Sequence, residues 1–349
     1  MTLRTGIVTG DIFLKHIPGD GCPEVPERLR SIHAMLKDPD MRGVFVDILP
    51  KQARREDILL FHTPGHFEKI AETRGKELIA FTADTHACKD SFDAALYATG
   101  GLLEAITQVV HKKLDNAFAL IRPPGHHAEK SRAMGYCLFN HVAIGAMFAR
   151  TILKLSRVLV IDWDIHHGNG TQHAFERDPN VLFFSVHQAG IFPGTGSFTD
   201  TGLSAGEGYT INLPIPKGYG DAEYVAIFEQ LLTPLAEQFS PDLILVSAGF
   251  DTHQDDVMGG MHMTASGYAG MIASIKKTAD RVCDGKLVLS LEGGYHWDAL
   301  AGSVKAVLKE MAGLTCCDVS AMAEKADNKK MTYVVRRCVD VHRHSWNFF

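Results

Sequence analysis

The chain has 349 residues, of which 46% are hydrophobic and 22% are charged, and its formal net charge is −6. This composition is typical of a globular protein with a large apolar core, and the negative charge argues against a nucleic-acid binder that relies on a broad basic surface. The first residues lack a signal-peptide pattern and no apolar run reaches the roughly 18 residues that span a membrane, so we expect a cytoplasmic protein. Seven scattered cysteines without a C-x-x-C pair predict reduced thiols.

Short β-branched segments alternate with helical patterns along the chain. We predict strands over 44–48, 117–121, 157–161, 181–186, 243–247 and 286–291. The clearest helical patterns lie at 93–111, 140–154, 222–238, 265–282 and 297–311. Such alternation predicts an α/β fold with a mainly parallel sheet, and strands that are apolar throughout indicate helices on both faces. Because no internal repeat or long linker interrupts the pattern, we predict a single domain over 1–349, with a last helix at about 332–346 packed on it.

Three histidine-bearing motifs each follow an apolar run. R-P-P-G-H-H begins at Arg122, D-W-D-I-H-H-G-N-G begins at Asp162, and S-A-G-F-D-T-H begins at Ser247. In open α/β sheets the ligand crevice lies beyond the carboxyl ends of the strands, so motifs that are distant in sequence can converge there. The sequence therefore predicts a metal-dependent active site at this edge of the sheet.

The second motif places three potential ligands at alternate positions. Asp162, Asp164 and His166 follow a predicted strand, so an extended backbone would put their side chains on one face. A catalytic zinc site usually has three protein ligands and one open position, and Asp251, at the end of another apolar strand, is the natural third ligand after Asp164 and His166. An aspartate after a strand often caps a helix instead, but three such strand ends together favour a metal. Asp162 would then orient an imidazole.

Two further segments carry groups suited to hydrolysis. The stiff Pro-Pro-Gly turn leads into His126 and His127, which could divide the work of moving a proton and supplying charge. The alternative is a structural histidine pair. Two glycines precede Tyr295, which predicts a turn that presents the phenol to a developing oxyanion, although a core tyrosine is the commoner outcome of such a pattern.

Together and in this order, these motifs resemble the zinc-dependent histone deacetylase family, most closely its bacterial, class II-like branch. The resemblance runs from about Pro23 to Trp346 and includes F-P-G-T-G from Phe192 and E-G-G-Y from Glu292. It implies an arginase/deacetylase-like single domain with the active site at the carboxyl ends of the strands. It also implies hydrolysis of acetyl groups from acetyl-lysine side chains.

The resemblance also implies a role for each motif residue. One zinc ion per chain would be held by three ligands: Asp164, His166 and Asp251. His127 would be the general base and acid, with Asn169 supporting it, and His126 would be the electrostatic companion paired with Asp162. Tyr295 would polarise the substrate carbonyl. Some family members carry an aspartate in place of Asn169, and some class II members carry a histidine in place of Tyr295.

By the same resemblance, a narrow channel would hold the alkyl chain of the substrate, in which each buried methylene contributes about 0.8 kcal/mol. Its residues would be Gly135, Tyr136, Phe192, Met258 and Gly293. Asp84 would hold the substrate backbone at the rim. A structural potassium ion would be bound partly by the main chain of Asp162, Asp164, His166, Ser185 and Val186. A second potassium ion would lie near Phe175 and Tyr209.

Three other functions fit parts of the pattern. Acetylpolyamine deacetylases tend to carry an acidic gatekeeper near Met258 or a long early insertion, but Met258 is not acidic and the stretch 51–84 is too compact for the insertion. A dimanganese ureohydrolase would need a second set of carboxylates, for which Asp255 and Asp256 are available, but the sequence has no G-G-D-H-like segment and Tyr295 would have no role. A non-catalytic acyl-lysine binder would have lost a ligand, the base or the tyrosine, and none is lost. The physiological substrate (a lysine peptide or a small acetylated amine), the acyl length, zinc versus iron(II) and homo-oligomer formation stay open.

Overall fold

The computed structural model describes residues 3–348. Its strands are β1 (Thr5–Val8), β2 (Val46–Ile48), β3 (Ile79–Ala80), β4 (His86–Ala87), β5 (Asn116–Ala119), β6 (Val158–Asp162), β7 (Val181–Gln188), β8 (Thr210–Ile215), β9 (Leu243–Ala248) and β10 (Leu287–Leu291). Its α-helices are α1 (Glu27–Met35), α2 (Arg55–Ile58), α3 (Pro64–Ala71), α4 (Ser91–Val110), α5 (His141–Thr151), α6 (Asn169–Phe175), α7 (Asp221–Ile227), α8 (Thr233–Phe239), α9 (Ala265–Cys283), α10 (Trp297–Met311), α11 (Val319–Ala323) and α12 (Asn328–His342).

Eight strands form one sheet in the order β2-β1-β5-β10-β9-β6-β7-β8, and all its neighbours pair in parallel. Strands β5, β6, β9 and β10 are buried at every position. They are covered by helices that pack on one another, α4 against α5 and α9 against α10, because strands without a polar face need cover on both sides. These observations confirm the predicted α/β class and the parallel sheet.

The sheet order decides where the motifs meet. β5, β10, β9 and β6 are consecutive neighbours in the middle of the sheet. The segments that follow them carry the Pro-Pro-Gly-His-His turn, the glycine-tyrosine turn, Asp251 and the D-x-D-x-H-H run. Parallel strands bring all of these segments to the same edge, as predicted from the general rule for open α/β sheets.

Several predicted elements differ from the observed ones. The helix predicted over 222–238 is divided into α7, a π-turn at Phe228–Leu232 and α8, because Pro234 lies in the first turn of α8 and lacks the N–H that a continuous helix needs. Four strands, β1, β3, β4 and β8, were not predicted. β8 contains Pro214 and lies at the edge of the sheet, where a missing donor is tolerated.

The C-terminal helix was predicted about four residues too late. α12 begins at Asn328 because the Asp327 carboxylate accepts hydrogen bonds from the main-chain N–H groups of Lys329 and Lys330, which caps the helix there. Trp346 therefore lies beyond the helix, where its indole N–H donates to the Gly208 carbonyl at 2.7 Å. Within residues 3–348, no helix is both long and apolar enough to span a membrane.

Candidate active site

Three acidic and imidazole side chains converge beyond β6 and β9. Asp164 and His166 follow β6, Asp251 follows β9, and one potential ligand atom from each lies within 4.8 Å of the other two. His166 Nδ1 is 3.0 Å from Asp164 Oδ1 and 3.3 Å from Asp251 Oδ2. All three residues are buried. The structure therefore brings together the set that the sequence predicted as metal ligands.

This cluster fits a divalent cation. The main-chain N–H of Gly293 donates to Asp164 Oδ2 at 2.8 Å and that of Ile165 donates to Asp251 Oδ1 at 2.9 Å, which orients both carboxylates. The other oxygen of Asp251 is buried and has no hydrogen-bond partner among the described residues. Burial and the adjacent Asp164 charge raise the pKa of Asp251 to about 7. A cation would satisfy this oxygen, and two carboxylates with one imidazole are a donor set suited to zinc.

The two histidines after β5 have opposite electrostatic environments. His126 Nδ1 lies 3.1 Å from Asp162 Oδ2, and although burial lowers the pKa of His126, the carboxylates of Asp164 and Asp162 outweigh it and raise the pKa to about 10. Burial and the positive charge of the adjacent His126 hold the pKa of His127 well below its usual value. One ring is thus cationic while the other is neutral and able to accept a proton.

Glu292 positions the histidine turn, and sequence reasoning did not single it out. Its Oε2 accepts hydrogen bonds from the main-chain N–H groups of Gly125 at 2.7 Å and His126 at 3.1 Å. The Ser247 hydroxyl donates to its other oxygen at 3.3 Å. The E-G-G-Y motif in the sequence includes Glu292 and could have drawn attention to it. Its role was missed because its partners Gly125 and His126 are 167 and 166 residues away in the chain.

Tyr295 is held in place from two sides. Asp256 Oδ2 accepts hydrogen bonds from the main-chain N–H groups of Tyr295 at 2.6 Å and His296 at 3.0 Å, and the Arg28 guanidinium lies 4.9 Å from the centre of the tyrosine ring. Burial keeps the pKa of Tyr295 well above its usual value. The phenol therefore stays protonated and can donate a hydrogen bond. Asp256 and Arg28 are further positioning residues that the sequence pattern did not indicate.

The sequence matches the family model for the histone deacetylase domain over residues 22–311. The chain belongs to the histone deacetylase family. It is 39% identical to a probable deacetylase of Archaeoglobus fulgidus, with 92% of this chain and 89% of that protein aligned. It is 38% identical to histone deacetylase 15 of Arabidopsis thaliana and 39% identical to histone deacetylase HDA1 of Saccharomyces cerevisiae, and spans 53% and 45% of their lengths.

The fold is shared with a solved member of the histone deacetylase family. The crystal structure of the HDA15 HD domain superimposes with a TM-score of 0.89 at 32% identity, covering 98% of this chain and 96% of that domain. The predicted family and its α/β fold are thereby confirmed. Membership of the histone deacetylase family supports hydrolytic deacetylase activity for the chain.

In this histone deacetylase fold, three of the predicted channel residues lie next to His127 or Tyr295. The Phe192 ring is 42% exposed and its centre lies 5.0 Å from that of His127. The rings of Tyr136 and Tyr295 are 6.1 Å apart. Gly135 lies so close to the base that a Cβ there would be 2.3 Å from His127 Cδ2, and its φ of 57° is one that glycine adopts readily.

Two of the remaining predicted substrate contacts, Met258 and Asp84, are tied to the same residues. The Met258 N–H donates to Asp256 Oδ1 at 3.0 Å, so a single carboxylate holds both Met258 and Tyr295. Asp84 Oδ1 accepts from the Thr85 hydroxyl at 2.8 Å, and that hydroxyl accepts from the Tyr136 N–H at 3.0 Å. Asp84 therefore lies one side chain away from Tyr136.

A dimanganese ureohydrolase would use Asp255 and Asp256 as a second set of metal ligands, and the positions of these two residues test that alternative. Within residues 3–348, Asp164, His166 and Asp251 form the one group of three or more His, Cys, Asp or Glu residues whose potential ligand atoms are close enough to hold a metal ion. Asp256 is occupied with main-chain N–H groups, and Asp255 has a 56% exposed side chain. Among the described residues, neither carboxylate belongs to a second group of potential metal ligands, so the histone deacetylase family remains the better match.

The residues predicted to bind the first potassium ion lie on the adjacent strands β6 and β7 or just beyond the end of β6. Asp162 is paired with Ser185 across β6 and β7, Asp164 and His166 follow β6, and Val186 follows Ser185. Phe175 ends α6 and Tyr209 directly precedes β8. Potassium binding at either place stays a prediction.

Gly293 offers a sharp test of how closely the metal cluster is packed. A Cβ on Gly293 would lie 2.2 Å from Asp251 Oδ2 and 2.6 Å from Asp164 Oδ2, so Gly293→Ala is expected to displace both carboxylates and weaken zinc binding at least about tenfold. The measurement is zinc affinity by competition with a chelator. Gly302→Ala is the matched control, because a Cβ on Gly302 of α10 would meet nothing within 4 Å. Equal zinc affinity of the two variants would contradict the packing argument.

Proposed function

We propose that this chain is a zinc-dependent lysine deacetylase that removes acetyl groups from N-ε-acetyl-lysine side chains of proteins or peptides. The observation that carries the proposal is the buried cluster of Asp164, His166 and Asp251 beside a neutral His127, in which Asp251 Oδ2 has no hydrogen-bond partner within residues 3–348. The protonated Tyr295 adds a hydrogen-bond donor at the same edge of the sheet. Family membership supports the deacetylase chemistry.

The chemistry follows from the charge state of each residue. A zinc ion held by Asp164, His166 and Asp251 would supply Lewis acidity toward the substrate carbonyl and the attacking water. His127 takes a proton from that water, which adds to the carbonyl carbon, while the Tyr295 hydroxyl donates a hydrogen bond to the carbonyl oxygen. The carbon–nitrogen bond then breaks, and His127 returns its proton to the departing lysine amine. Acetate and free lysine are the products.

His126 contributes charge and does not exchange protons in this scheme. Its pKa of about 10 keeps the ring cationic at neutral pH, with Asp162 as its hydrogen-bond partner. A fixed positive charge next to the reacting carbonyl stabilises the negative charge that develops on oxygen. It also lowers the pKa of His127, so the base is free of its proton before water attacks.

The substrate class follows from the residues around His127 and Tyr295. Phe192, Tyr136 and Met258 offer aromatic and thioether surfaces to an aliphatic stem, and Asp84 could accept a hydrogen bond from a substrate main-chain N–H. Met258 provides no carboxylate for the second amine of a polyamine. This favours an acetylated lysine peptide over a small acetylated polyamine.

The decisive measurement is steady-state turnover of the zinc-loaded protein on an acetyl-lysine peptide and on an N-acetylated polyamine, with Asp164→Ala as the inactive control. We expect a strong preference for the peptide in kcat/KM, which the control abolishes. A preference for the polyamine would overturn the substrate assignment, but the assignment of the chain as an amidohydrolase would stand. Tight binding of the acetylated peptide without any turnover would overturn the enzyme assignment in favour of an acyl-lysine binder.

A further inference from the structure

A chain of hydrogen bonds leads from the base to the protein surface. His127 Nδ1 lies 2.7 Å from Asn169 Oδ1, and Asn169 Nδ2 donates to Glu129 Oε1 at 2.6 Å. The Glu129 carboxylate contacts His173 Nδ1 at 2.9 Å and 3.1 Å. Asn169 is 2% exposed, whereas 44% of the His173 side chain is exposed. Glu129 thus lies between the buried amide and an imidazole in contact with solvent.

The chemistry of Glu129 determines the orientation of the amide. An ionised carboxylate has acceptors and no donors, so it can bind Asn169 only through the Nδ2 group. His173 and Asn169 outweigh burial and hold the pKa of Glu129 below its usual value, so its charge is maintained. The other acceptors of Asn169 Nδ2 lie farther away: the His127 carbonyl oxygen at 3.4 Å and Met134 Sδ at 3.6 Å. Glu129 is therefore the strongest influence on the amide orientation.

The orientation of the amide in turn determines the tautomer of His127. With Nδ2 turned to Glu129, the Asn169 oxygen faces His127 Nδ1, which must then carry the ring proton. The proton-free nitrogen is Nε2, and this is the atom that can accept a proton from water. If the amide turned over, its Nδ2 group would donate to His127 Nδ1 and the ring proton would move to Nε2. That tautomer has no free nitrogen for the reaction.

We propose that Glu129 is a positioning residue of this active site: it fixes the amide of Asn169 and thereby keeps the reacting nitrogen of His127 free of a proton. This inference rests on the proposed function. His173 supports it from outside by pairing with the Glu129 carboxylate. Glu129 acts through Asn169, so its effect is on the population of competent His127 and not on substrate binding.

Glu129 and Asn169 form a matched pair, because one must accept and the other must donate the hydrogen bond between them. An Asn169→Asp change would keep an acceptor for His127 Nδ1, but would set two carboxylates against each other at the 2.6 Å contact. A second change, Glu129→Gln, would supply an amide N–H to the new carboxylate. The double variant should therefore recover activity that the Asn169→Asp single variant loses, which a purely structural role for Glu129 would not predict.

The first experiment compares Glu129→Ala and Glu129→Gln with Glu223→Ala in the zinc-loaded protein. Glu223 is a matched control, because it is 8% exposed and accepts main-chain hydrogen bonds from Gly220 and Asp327. We expect Glu129→Ala to lower kcat about ten- to a hundredfold with little change in KM, as for loss of a charged hydrogen bond. Glu129→Gln keeps an acceptor oxygen and should retain most activity, and Glu223→Ala should lower thermal stability alone.

A second readout reports the tautomer directly. In ¹⁵N-histidine-labelled protein, two-bond ¹H–¹⁵N correlations of His127, assigned with a His127→Phe variant, should show a protonated Nδ1 in the wild type and a mixture in Glu129→Ala. An unchanged tautomer in Glu129→Ala, or failure of Glu129→Gln to restore the Asn169→Asp variant, would overturn the inference. Because the tautomer is read without turnover, failure of the proposed deacetylase activity can be distinguished from failure of this positioning role.

Discussion

Replacing Asp251 with alanine is expected to abolish both zinc binding and deacetylation. Asp251 contributes the buried oxygen that has no hydrogen-bond partner among the described residues, and it lies 3.3 Å from His166 Nδ1. Without it, Asp164 and His166 would be left as two ligands, fewer than the three that a catalytic zinc site needs. We expect the zinc content of the purified protein to fall below stoichiometry and turnover to drop at least about a thousandfold.

The control for this prediction lies on the same loop. Asp255→Ala also removes an aspartate, but the Asp255 side chain is 56% exposed and outside the cluster. It should therefore keep full zinc content, measured by elemental analysis, and near-normal turnover. If Asp251→Ala bound zinc as tightly as Asp255→Ala, the assignment of the third ligand would be wrong.

Replacing Tyr295 with phenylalanine is expected to lower kcat strongly and to leave KM nearly unchanged. The change removes one oxygen atom and keeps the ring that lies 4.9 Å from the Arg28 guanidinium. Because the phenol is held protonated by burial, its hydrogen bond to the carbonyl oxygen strengthens as negative charge develops there. Loss of such an oxyanion donor lowers kcat by about 10²- to 10³-fold.

A matched tyrosine elsewhere in the chain separates this effect from general destabilisation. The Tyr219 hydroxyl donates to the Lys330 carbonyl at 3.0 Å, at the contact between α12 and the body of the domain. Tyr219→Phe should lower thermal stability slightly and leave kcat unchanged. An equal loss of kcat in both variants, or a Tyr295→Phe effect confined to KM, would show that Tyr295 does not act on the transition state.

Some helices are specified by the residues within them, and others depend on how a single residue acts in its surroundings. Helix α10 was predicted at its observed bounds, because its apolar period is uninterrupted from Trp297 to Met311. The division of the helix over 222–238 into two was missed, although Pro234 is visible in the sequence. A proline inside a helical pattern can begin a new helix or bend an existing one, and periodicity alone does not distinguish these outcomes.

Some residues of the candidate site could be assigned from the sequence, and others could not. Asp164 and His166 could be paired from sequence, because they are two positions apart at the end of one strand. The pairing of His127 with Asn169 and the channel residues came from resemblance to a family and not from the pattern itself. Glu292, Asp256 and Glu129 were not assigned, since each acts on main-chain or side-chain atoms in another part of the chain.

The α/β class, the strand ends that carry metal-ligand residue types and the family of the chain could all be read from the residue pattern alone. The folded chain was needed to show that β5, β10, β9 and β6 are consecutive neighbours and that His126 is cationic while the adjacent His127 is neutral. This difference arises because strand and ligand patterns depend on side chains a few residues apart. Charge state and orientation depend on burial and on partners about 40 to 170 residues away, which leave no periodic signal in the chain.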